Sequence, residues 1–542
     1  TLVNTIGYLH TIGCAPAFSF YIGQDDKNSE KNALMLSQGG LGLGSRDYYF
    51  NTDKETENIR KEYVKHIQAI FELTGTDKST AQKDASLVMK LETELAKNSR
   101  KLEALRDPQK NYNKFSIAQF KTQTPDIDWN SVMTSLLVKN PDSVIVGQPE
   151  FYVALNKMIK SYSVEDWKVY LKWDLINTYA SYMNNAIEKQ NFYFFGTVMG
   201  GVKEQKPRWK RIVEQTNGSL GELIGQVYVK EYLPKGSKEK LLEIGNNIRD
   251  VYAEHIKKLD WMSDATKKKA LHKLSKIVMK VGYPDKWKDM SAVSIKRNAY
   301  CENVIATNKW AYNDMINKFG KPVDRTEWGM YPQTYNAYYS PSNNEICVPG
   351  CNIIVPGFEG RMPDDAVLYG IIGGSTFGHE ITHGFDDQGS QYDEKGNLNN
   401  WWTEEDLKKF KEKTKLIVEQ FNEYEALPGK FVNGDATQGE NIADLGGVVM
   451  GYEAFKKTKQ YKENEKIAGL TPDQRFFLAY GYAWMVNIKT ESLAQQLLVD
   501  VHSPAKYRIN GPLANIPEFY KTFNVKQGNK MYRAKEKQIT IW

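Results

Sequence analysis

The sequence predicts a mainly α-helical protein with at least two lobes and one small β-sheet. A chain of 542 residues is too long for a single ordinary hydrophobic core. The hydrophobic fraction of 41% and the charged fraction of 25% are typical of a globular protein. Helical periodicity repeats over long stretches rich in good helix formers, and it predicts helices over 54–74, 80–105, 164–191, 237–259 and 264–281.

Strand signals are few, and they concentrate near residues 331–355. Residues 335–339 form an alternating, aromatic run, and a turn signal of Ser, Pro and Asn follows over 340–344. Residues 345–348 would then form the return strand. We therefore expect a hairpin whose exposed edge can pair its backbone with an extended peptide.

The segment HEITH places His379 and His383 four residues apart. On a helix this spacing puts both imidazoles on one face, where they can converge on one metal ion. Glu380 lies beside the first of them and can take a proton from water that the metal activates. Because the chain has only seven histidines, chance would give this pair with an acidic second residue roughly once in a hundred such chains.

A second pair at helical spacing, Glu440 and Asp444, lies downstream. A catalytic zinc site needs three protein ligands and one open position, so Glu440 is predicted as the third ligand. Asp444 would accept the outer N–H of His379 and so fix the orientation of its ring. The glycines at 446–447 follow directly, which indicates close packing or an approach to the metal-binding helix.

Two further acids, Asp386 and Asp387, follow the second histidine within one helical turn. One of them could orient His383, and we assign this role to Asp386. The alternative is a helix end with two solvated acids, and the sequence leaves it open.

Several segments of the chain share motifs with a known family. They are 18–21 with 25–28, 39–43, 336–339 (NAYY), 379–387 (HEITHGFDD), 440–447 (ENIADLGG), and 500–504 (DVHSP) with Arg508. Together they resemble the neprilysin and endothelin-converting-enzyme family of zinc metallopeptidases, and a bacterial, endopeptidase O-like member in particular. The resemblance covers nearly the whole chain in the family's order, and its four central motifs are jointly very specific.

The resemblance implies a fold of two helical lobes around a central cavity. A small β-sheet would lie beside a thermolysin-like (gluzincin) pair of zinc helices. A break at 282–285 suggests a domain boundary. We predict that 1–40 is an amino-terminal segment that packs with the catalytic lobe, that 41–285 is a helical lid lobe, and that 286–542 is the catalytic zinc lobe. Such a cavity would admit peptides and exclude folded proteins.

The resemblance also implies roles for site residues outside the metal motifs. Asn336 and Ala337 would hold the substrate backbone, and Arg508 would bind the carbonyl beyond the cleaved bond. His502 would donate to the oxyanion of the transition state, with Asp500 holding its ring. The implied activity is cleavage of peptides before an apolar residue, with one Zn²⁺ per chain, Glu380 as general base and Asp444 as a further catalytic residue.

Two rival functions are weighed against the zinc endopeptidase. An aminopeptidase needs a group that captures the substrate amine, usually acidic residues beside the strand edge, and Asn336-Ala337 offers none. An inactive scaffold that binds peptides or a host protein is opposed by the intact ligands and by Glu380. The endopeptidase is therefore favoured.

Net charge and cysteine content limit which partners and which cellular location we expect. The net charge is +6, and the lysines are scattered, which predicts a solvated surface and no nucleic-acid site. The sequence contains no run of 18 or more apolar residues, so it predicts no membrane span in this chain. The first residue is Thr1 and not Met, as expected of a processed or trimmed chain. Four cysteines suggest an exported bacterial protein, located in the periplasm, at the cell surface or outside the cell. Disulfides between Cys347 and Cys351, or between Cys14 and Cys301, stay open.

Overall fold

The computed structural model describes residues 2–359 and 361–542, and helices dominate it, as predicted. The chain divides into two compact units. The first comprises Thr1–Gly221, Asp289–Val323 and Lys489–Val499, and the second comprises Glu222–Lys288, Asp324–Ile488 and Asp500–Trp542. The predicted domain boundaries at residues 40 and 285 stay predictions.

The secondary structure of the described residues is as follows. In chain order, the α-helices α1 to α23 are Leu2–Thr11, Asp47–Phe50, Lys54–Leu73, Lys78–Lys97, Leu102–Leu105, Ile117–Gln123, Trp129–Ser135, Pro149–Ser161, Val164–Tyr179, Asn185–Asn191, Arg208–Tyr232, Ser237–Lys258, Asp264–Lys276, Tyr300–Ile316, Asp365–Leu368, His379–His383, Glu404–Asn422, Gly434–Lys457, Lys459–Glu463, Pro472–Ala483, Thr490–Val499, Ala505–Leu513 and Pro517–Phe523. The strands β1 to β9 are Phe18–Asp25, Asn28–Gln38, Asn113–Ser116, Ser143–Val146, Val278–Gly282, Tyr338–Ser340, Glu345–Pro349, Glu425–Leu427 and Lys430–Phe431. Wide π-helical turns form Phe192–Met199 and Tyr369–Gly378, and 3-10 turns form Ala180–Tyr182, Gly350–Ile353, Gly389–Gln391 and Lys535–Lys537.

Several predicted helices begin where a polar side chain caps them. Asp53 accepts the N–H of Thr56 at the start of α3, and Asp77 accepts that of Thr80 at the start of α4. The predicted helix over 264–281 was too long, because α13 ends at Lys276 and the chain continues as strand β5. Helical periodicity alone could not separate this short strand from the helix before it.

The first unit contains a sheet with strand order β1-β2-β4-β3, which the sequence analysis missed. Strands β1 and β2 form an antiparallel hairpin, whereas β2 and β4 pair in parallel over two residues only. Large aromatic side chains close the core against this sheet, among them Phe18, Phe120, Trp129 and Tyr152. The helices α1, α7 and α9 pack in the same core.

The second unit contains a sheet with strand order β5-β7-β6, the small sheet expected near the metal-binding helix. The predicted return strand is correct, since β7 is buried and pairs antiparallel with β6. The first strand is shorter and later than predicted. Asn336 and Ala337 precede it in irregular backbone, where Oδ1 of Asn336 accepts the N–H of Ala337.

Two helical stretches of the second unit carry the candidate site. The first runs without interruption from α15 through the π-helical turn to α16, and the second is the largely buried α18. They pack backbone against backbone. A Cβ on Gly447 would lie 2.5 Å from the carbonyl oxygen of Gly374 and 2.8 Å from the nitrogen of His379, and a Cβ on Gly378 would lie 2.6 Å from the carbonyl oxygen of Gly447. This confirms that the glycines at 446–447 serve close helix packing.

The described part of the chain contains neither a disulfide nor a helix that could span a membrane. Across residues 2–359 and 361–542, all four cysteines are free thiols, so neither possible disulfide forms. No helix in this part of the chain has the length and apolar character that crossing a lipid bilayer requires.

Candidate active site

Three side chains from two helices converge in the second unit. His379 and His383 lie on α16, and Glu440 lies on α18. Nε2 of His379 is 3.0 Å from Nε2 of His383 and 3.2 Å from Oε2 of Glu440, and Nε2 of His383 is 3.6 Å from Oε1 of Glu440. These donor atoms all lie within 4.8 Å of one another. Two imidazoles and one carboxylate form a donor set that suits zinc.

A carboxylate contacts the outer nitrogen of each histidine. Nδ1 of His379 lies 2.8 Å from Oδ1 of Asp444, although its N–H direction is not aligned for a linear hydrogen bond. Nδ1 of His383 lies 2.7 Å from Oδ2 of Asp386. The other oxygen of Asp386 accepts the N–H of Gly389 at 2.7 Å. The structure therefore brings Asp444 and Asp386 to the positions that the sequence analysis expected. In both histidine rings, Nε2 faces the donor cluster.

Arg508 contacts the carboxylates of α18 at the candidate metal site. It donates from Nε and Nη2 to the two oxygens of Asp444, both at 2.8 Å, and Nη2 lies 3.4 Å from Oε2 of Glu440. Its guanidinium is 3.9 Å from the ring centroid of Trp484. The sequence analysis missed the bidentate pair with Asp444 and the stacking on Trp484, because both residues are far from Arg508 along the chain.

His502 approaches the ligands from a different segment. Its Nε2 lies 3.2 Å from Oε2 of Glu440, and its Nδ1 lies 2.7 Å from Oδ1 of Asp500. The side chain is 42% exposed, so it can meet a bound substrate. The structure thus places His502 and Asp500 in contact, and both at the edge of the donor cluster.

A cavity of about 250 Å³ opens beside the donor cluster. Glu380 is buried and forms part of its wall, together with Asn336 and Ala337 of the irregular segment before β6. The sequence analysis named these three residues but not the rest of the lining. The other lining residues are Tyr335, Asn352, Ile371, Ser375, Thr376, Ala483 and Trp484. Of these, Ile371, Ser375 and Thr376 share the π-helical turn, so only its position before HEITH could have pointed to them.

The electrostatics of the cluster favour positive charge at its centre. Burial lowers the pKa of His379, but its contacts with Asp444 and Glu440 outweigh burial and raise that pKa to about 10. Burial raises the pKa of Glu440, but the neighbouring imidazoles His383 and His379 lower it well below its ordinary value. A divalent cation satisfies the same demand without the protons, so the residues fit a metal ion.

Comparisons with known proteins agree with this geometry. Family models described as peptidase family M13 match residues 1–284 and 336–539. The chain belongs to peptidase family M13. Both the amino-terminal part and the part with the metal cluster therefore have counterparts in this family.

Individual M13 relatives resemble the chain over most of its length. It is 33% identical over 538 residues to an endothelin-converting enzyme homolog of Locusta migratoria, which covers 95% of this chain and 73% of that protein. It is 32% identical over 535 residues to endothelin-converting enzyme 1 of Rattus norvegicus, covering 95% and 69%. The crystal structure of Mycobacterium tuberculosis zinc metalloprotease Zmp1 with an inhibitor superposes with a TM-score of 0.94 at 34% identity, covering 100% of this chain and 82% of that one.

Membership of M13 confirms the class of protein that the motifs predicted. The chain is a metalloendopeptidase of the neprilysin and endothelin-converting-enzyme type, and proteins of this type act on peptides. M13 peptidases depend on zinc, which agrees with the cluster of His379, His383 and Glu440. The roles of the individual site residues in this chain stay predictions.

Proposed function

We propose that this protein hydrolyses internal bonds of oligopeptides, with one zinc ion held by His379, His383 and Glu440. The convergence of these three donors, with Glu380 buried beside them in a cavity wall, supports this most directly. A bound zinc ion lowers the pKa of water towards 7 and polarises a carbonyl group.

Glu380 is the general base in this proposal. Burial raises the pKa of its carboxyl group, while the positive charges of His379 and His383 lower it, and burial prevails. A base whose pKa lies above the ordinary glutamate value takes a proton more readily near neutral pH. Its position in the cavity wall lets it take the proton of the attacking water and pass it to the leaving amine.

The irregular segment before β6 holds the substrate in this proposal. Asn336 is exposed and borders the cavity with Ala337, so an extended peptide can lie along this edge. Oδ1 of Asn336 accepts the N–H of Ala337, which leaves its amide N–H groups for a substrate carbonyl. Arg508 holds Asp444 with Nε and Nη2, and we assign its Nη1 to the carbonyl beyond the cleaved bond.

His502 stabilises the oxyanion that forms as water attacks the carbonyl. When Nδ1 donates to Asp500, Nε2 carries a proton only in the cationic ring. The cationic ring is therefore the donor, and Asp500 fixes its orientation. This hydrogen bond strengthens as negative charge develops on the substrate oxygen, so it favours the transition state over the bound peptide.

The cavity suggests which side chain follows the cut. Ile371, Ala483 and Trp484 supply an apolar wall, which supports the preference for an apolar residue there. The hydroxyl groups of Ser375 and Thr376 share this space. We also propose that the protein is exported, a proposal supported by its few cysteines and many lysines.

Digestion of a mixed peptide library, with cut sites mapped by mass spectrometry, tests the function. The wild type should bind about one zinc per chain and cut internal bonds, and a chelator should abolish cleavage until zinc is restored. Glu380→Gln should bind zinc equally and lose nearly all cleavage. Removal of single amino-terminal residues would indicate an aminopeptidase, and zinc binding without any cleavage would indicate a scaffold. Wild-type activity in Glu380→Gln would remove its assigned role.

A further inference from the structure

A buried lysine contacts the loop that follows the metal-binding helix α16. Lys273, on α13, is 1% exposed, and its ammonium group donates to three backbone carbonyls. The acceptors are Gly384 at 2.7 Å, Gly389 at 2.6 Å and Tyr392 at 2.8 Å. All three belong to the loop that follows His383.

Burying a lysine is costly unless its hydrogens are all bonded. An ammonium group has three hydrogens and no acceptor, so these three carbonyls match its full donor capacity. The carbonyl of Gly389 also accepts the N–H of Tyr392 at 3.0 Å, and the carbonyl of Tyr392 also accepts from Nε1 of Trp401 at 2.9 Å. Lys273 therefore ties together three carbonyls that are spread over residues 384–392, and it helps to fix this loop.

The loop connects Lys273 to His383, a predicted metal ligand, through hydrogen bonds. The carbonyl of Gly389 accepts from Lys273, while its N–H donates to Oδ1 of Asp386 at 2.7 Å. Oδ2 of Asp386 lies 2.7 Å from Nδ1 of His383. A Cβ on Gly389 would also collide with the carbonyl oxygen of His383, so the loop turns back tightly onto the metal-binding helix. One residue, Gly389, thus joins the ammonium group to the carboxylate that contacts the histidine.

We propose that Lys273 is a positioning residue for the metal centre, which holds the ring of His383 in place through the loop and Asp386. The inference rests on the proposed metal site. It gives Lys273 no contact with the substrate or with the reacting atoms. Its loss should loosen the orientation of one ligand, and partners that orient metal ligands typically change metal affinity by roughly 10–100-fold.

Zinc affinity, measured by competition with a chromophoric chelator, tests this on the full chain. Lys273→Met keeps the side-chain length but removes every donor, and we expect roughly tenfold weaker zinc binding. A matched control removes another buried lysine of this unit with its partner. Lys280→Met with Glu345→Gln deletes the 2.8 Å pair between β5 and β7 and should leave zinc affinity unchanged. Thermal unfolding of the zinc-free proteins reports any loss of stability separately.

A double-mutant cycle with Asp386→Asn tests the route. If Lys273 acts through Asp386, the double variant should bind zinc no more weakly than Asp386→Asn alone. Independent, multiplying losses would overturn that route, and wild-type affinity in Lys273→Met would overturn the inference. If Lys273→Met does not fold, Lys273→Gln retains part of the donor capacity, and unchanged affinity there would overturn the inference equally. Failure of the wild type to bind zinc would instead refute the proposed function.

Discussion

Gly447→Ala tests whether backbone contact between the two helices sets the geometry of the metal centre. The new Cβ would lie 2.5 Å from the carbonyl oxygen of Gly374, so the helices must separate by about 0.9 Å to restore ordinary contact at 3.4 Å. Overpacking a core costs roughly 1–3 kcal/mol of stability. Alanine regains at most about 1 kcal/mol through its higher helix propensity, so we expect a net loss.

The same displacement should weaken metal binding. Glu440 lies on α18 with Gly447, and its Oε2 is 3.2 Å from Nε2 of His379 on the other helix. A separation of about 0.9 Å is more than a quarter of that distance, and we expect zinc affinity to fall at least tenfold, the lower end of the loss typical when partners that orient metal ligands are removed. Thermal unfolding without zinc and chelator competition measure the two effects on one preparation.

A matched glycine provides the control for helix propensity. Gly218 lies in helix α11, and a Cβ there would meet nothing within 4 Å. Gly218→Ala should therefore keep or slightly raise the stability, by up to about 1 kcal/mol, and leave zinc binding unchanged. The reasoning is refuted if Gly447→Ala matches Gly218→Ala in both measurements.

Three further predictions address the site and the first unit. Asp444→Ala should weaken zinc affinity roughly 10–100-fold in the chelator assay, and unchanged affinity would remove its role in orienting His379. His502→Ala should lower kcat by roughly 10²–10³ with little change in KM on a fluorogenic peptide, whereas a pure KM effect would assign it to ground-state binding. Asp174→Asn should raise the free energy of unfolding at pH 8 by roughly 1–3 kcal/mol, measured by denaturant titration, because burial raises the pKa of Asp174 to about 7. Since the folded protein keeps this proton up to about pH 7 and the unfolded chain loses it near pH 4, stability falls as pH rises between these values. The gain from Asp174→Asn should therefore shrink as pH falls from 7 to 4, and a gain independent of pH would contradict the assignment.

Much of the site could be predicted because its chemistry is local in sequence. The pairs His379 with His383, and Glu440 with Asp444, each lie one helical turn apart, so a helix alone brings them to one face. The glycines at 446–447 carry a similar local signal, since only glycine allows such close backbone contact. The long helices α3 and α12 were predictable for the same reason.

The features that escaped prediction depend on contacts between distant segments. Strands β2 and β4 pair although more than a hundred residues separate them, and neither strand shows where its partner lies. The bidentate pair of Arg508 with Asp444 spans 64 residues. From the sequence, Lys273 is indistinguishable from the solvated lysines of its helix. The three carbonyls that bind it belong to a loop more than a hundred residues later in the chain.

The backbone contact between the two helices has a consequence for metal exchange. Gly378 and Gly447 allow close backbone packing of α18 against the helix of His379, and this packing does not depend on the donor side chains. The donors are therefore held in position before a cation binds. Small zinc domains, in contrast, fold only when the metal binds, and a chelator unfolds them. Here a chelator should strip the ion and leave the tertiary structure intact, so reloading should be fast and reversible. The stripped enzyme should then accept cobalt(II) as a coloured substitute that reports the coordination of the centre directly.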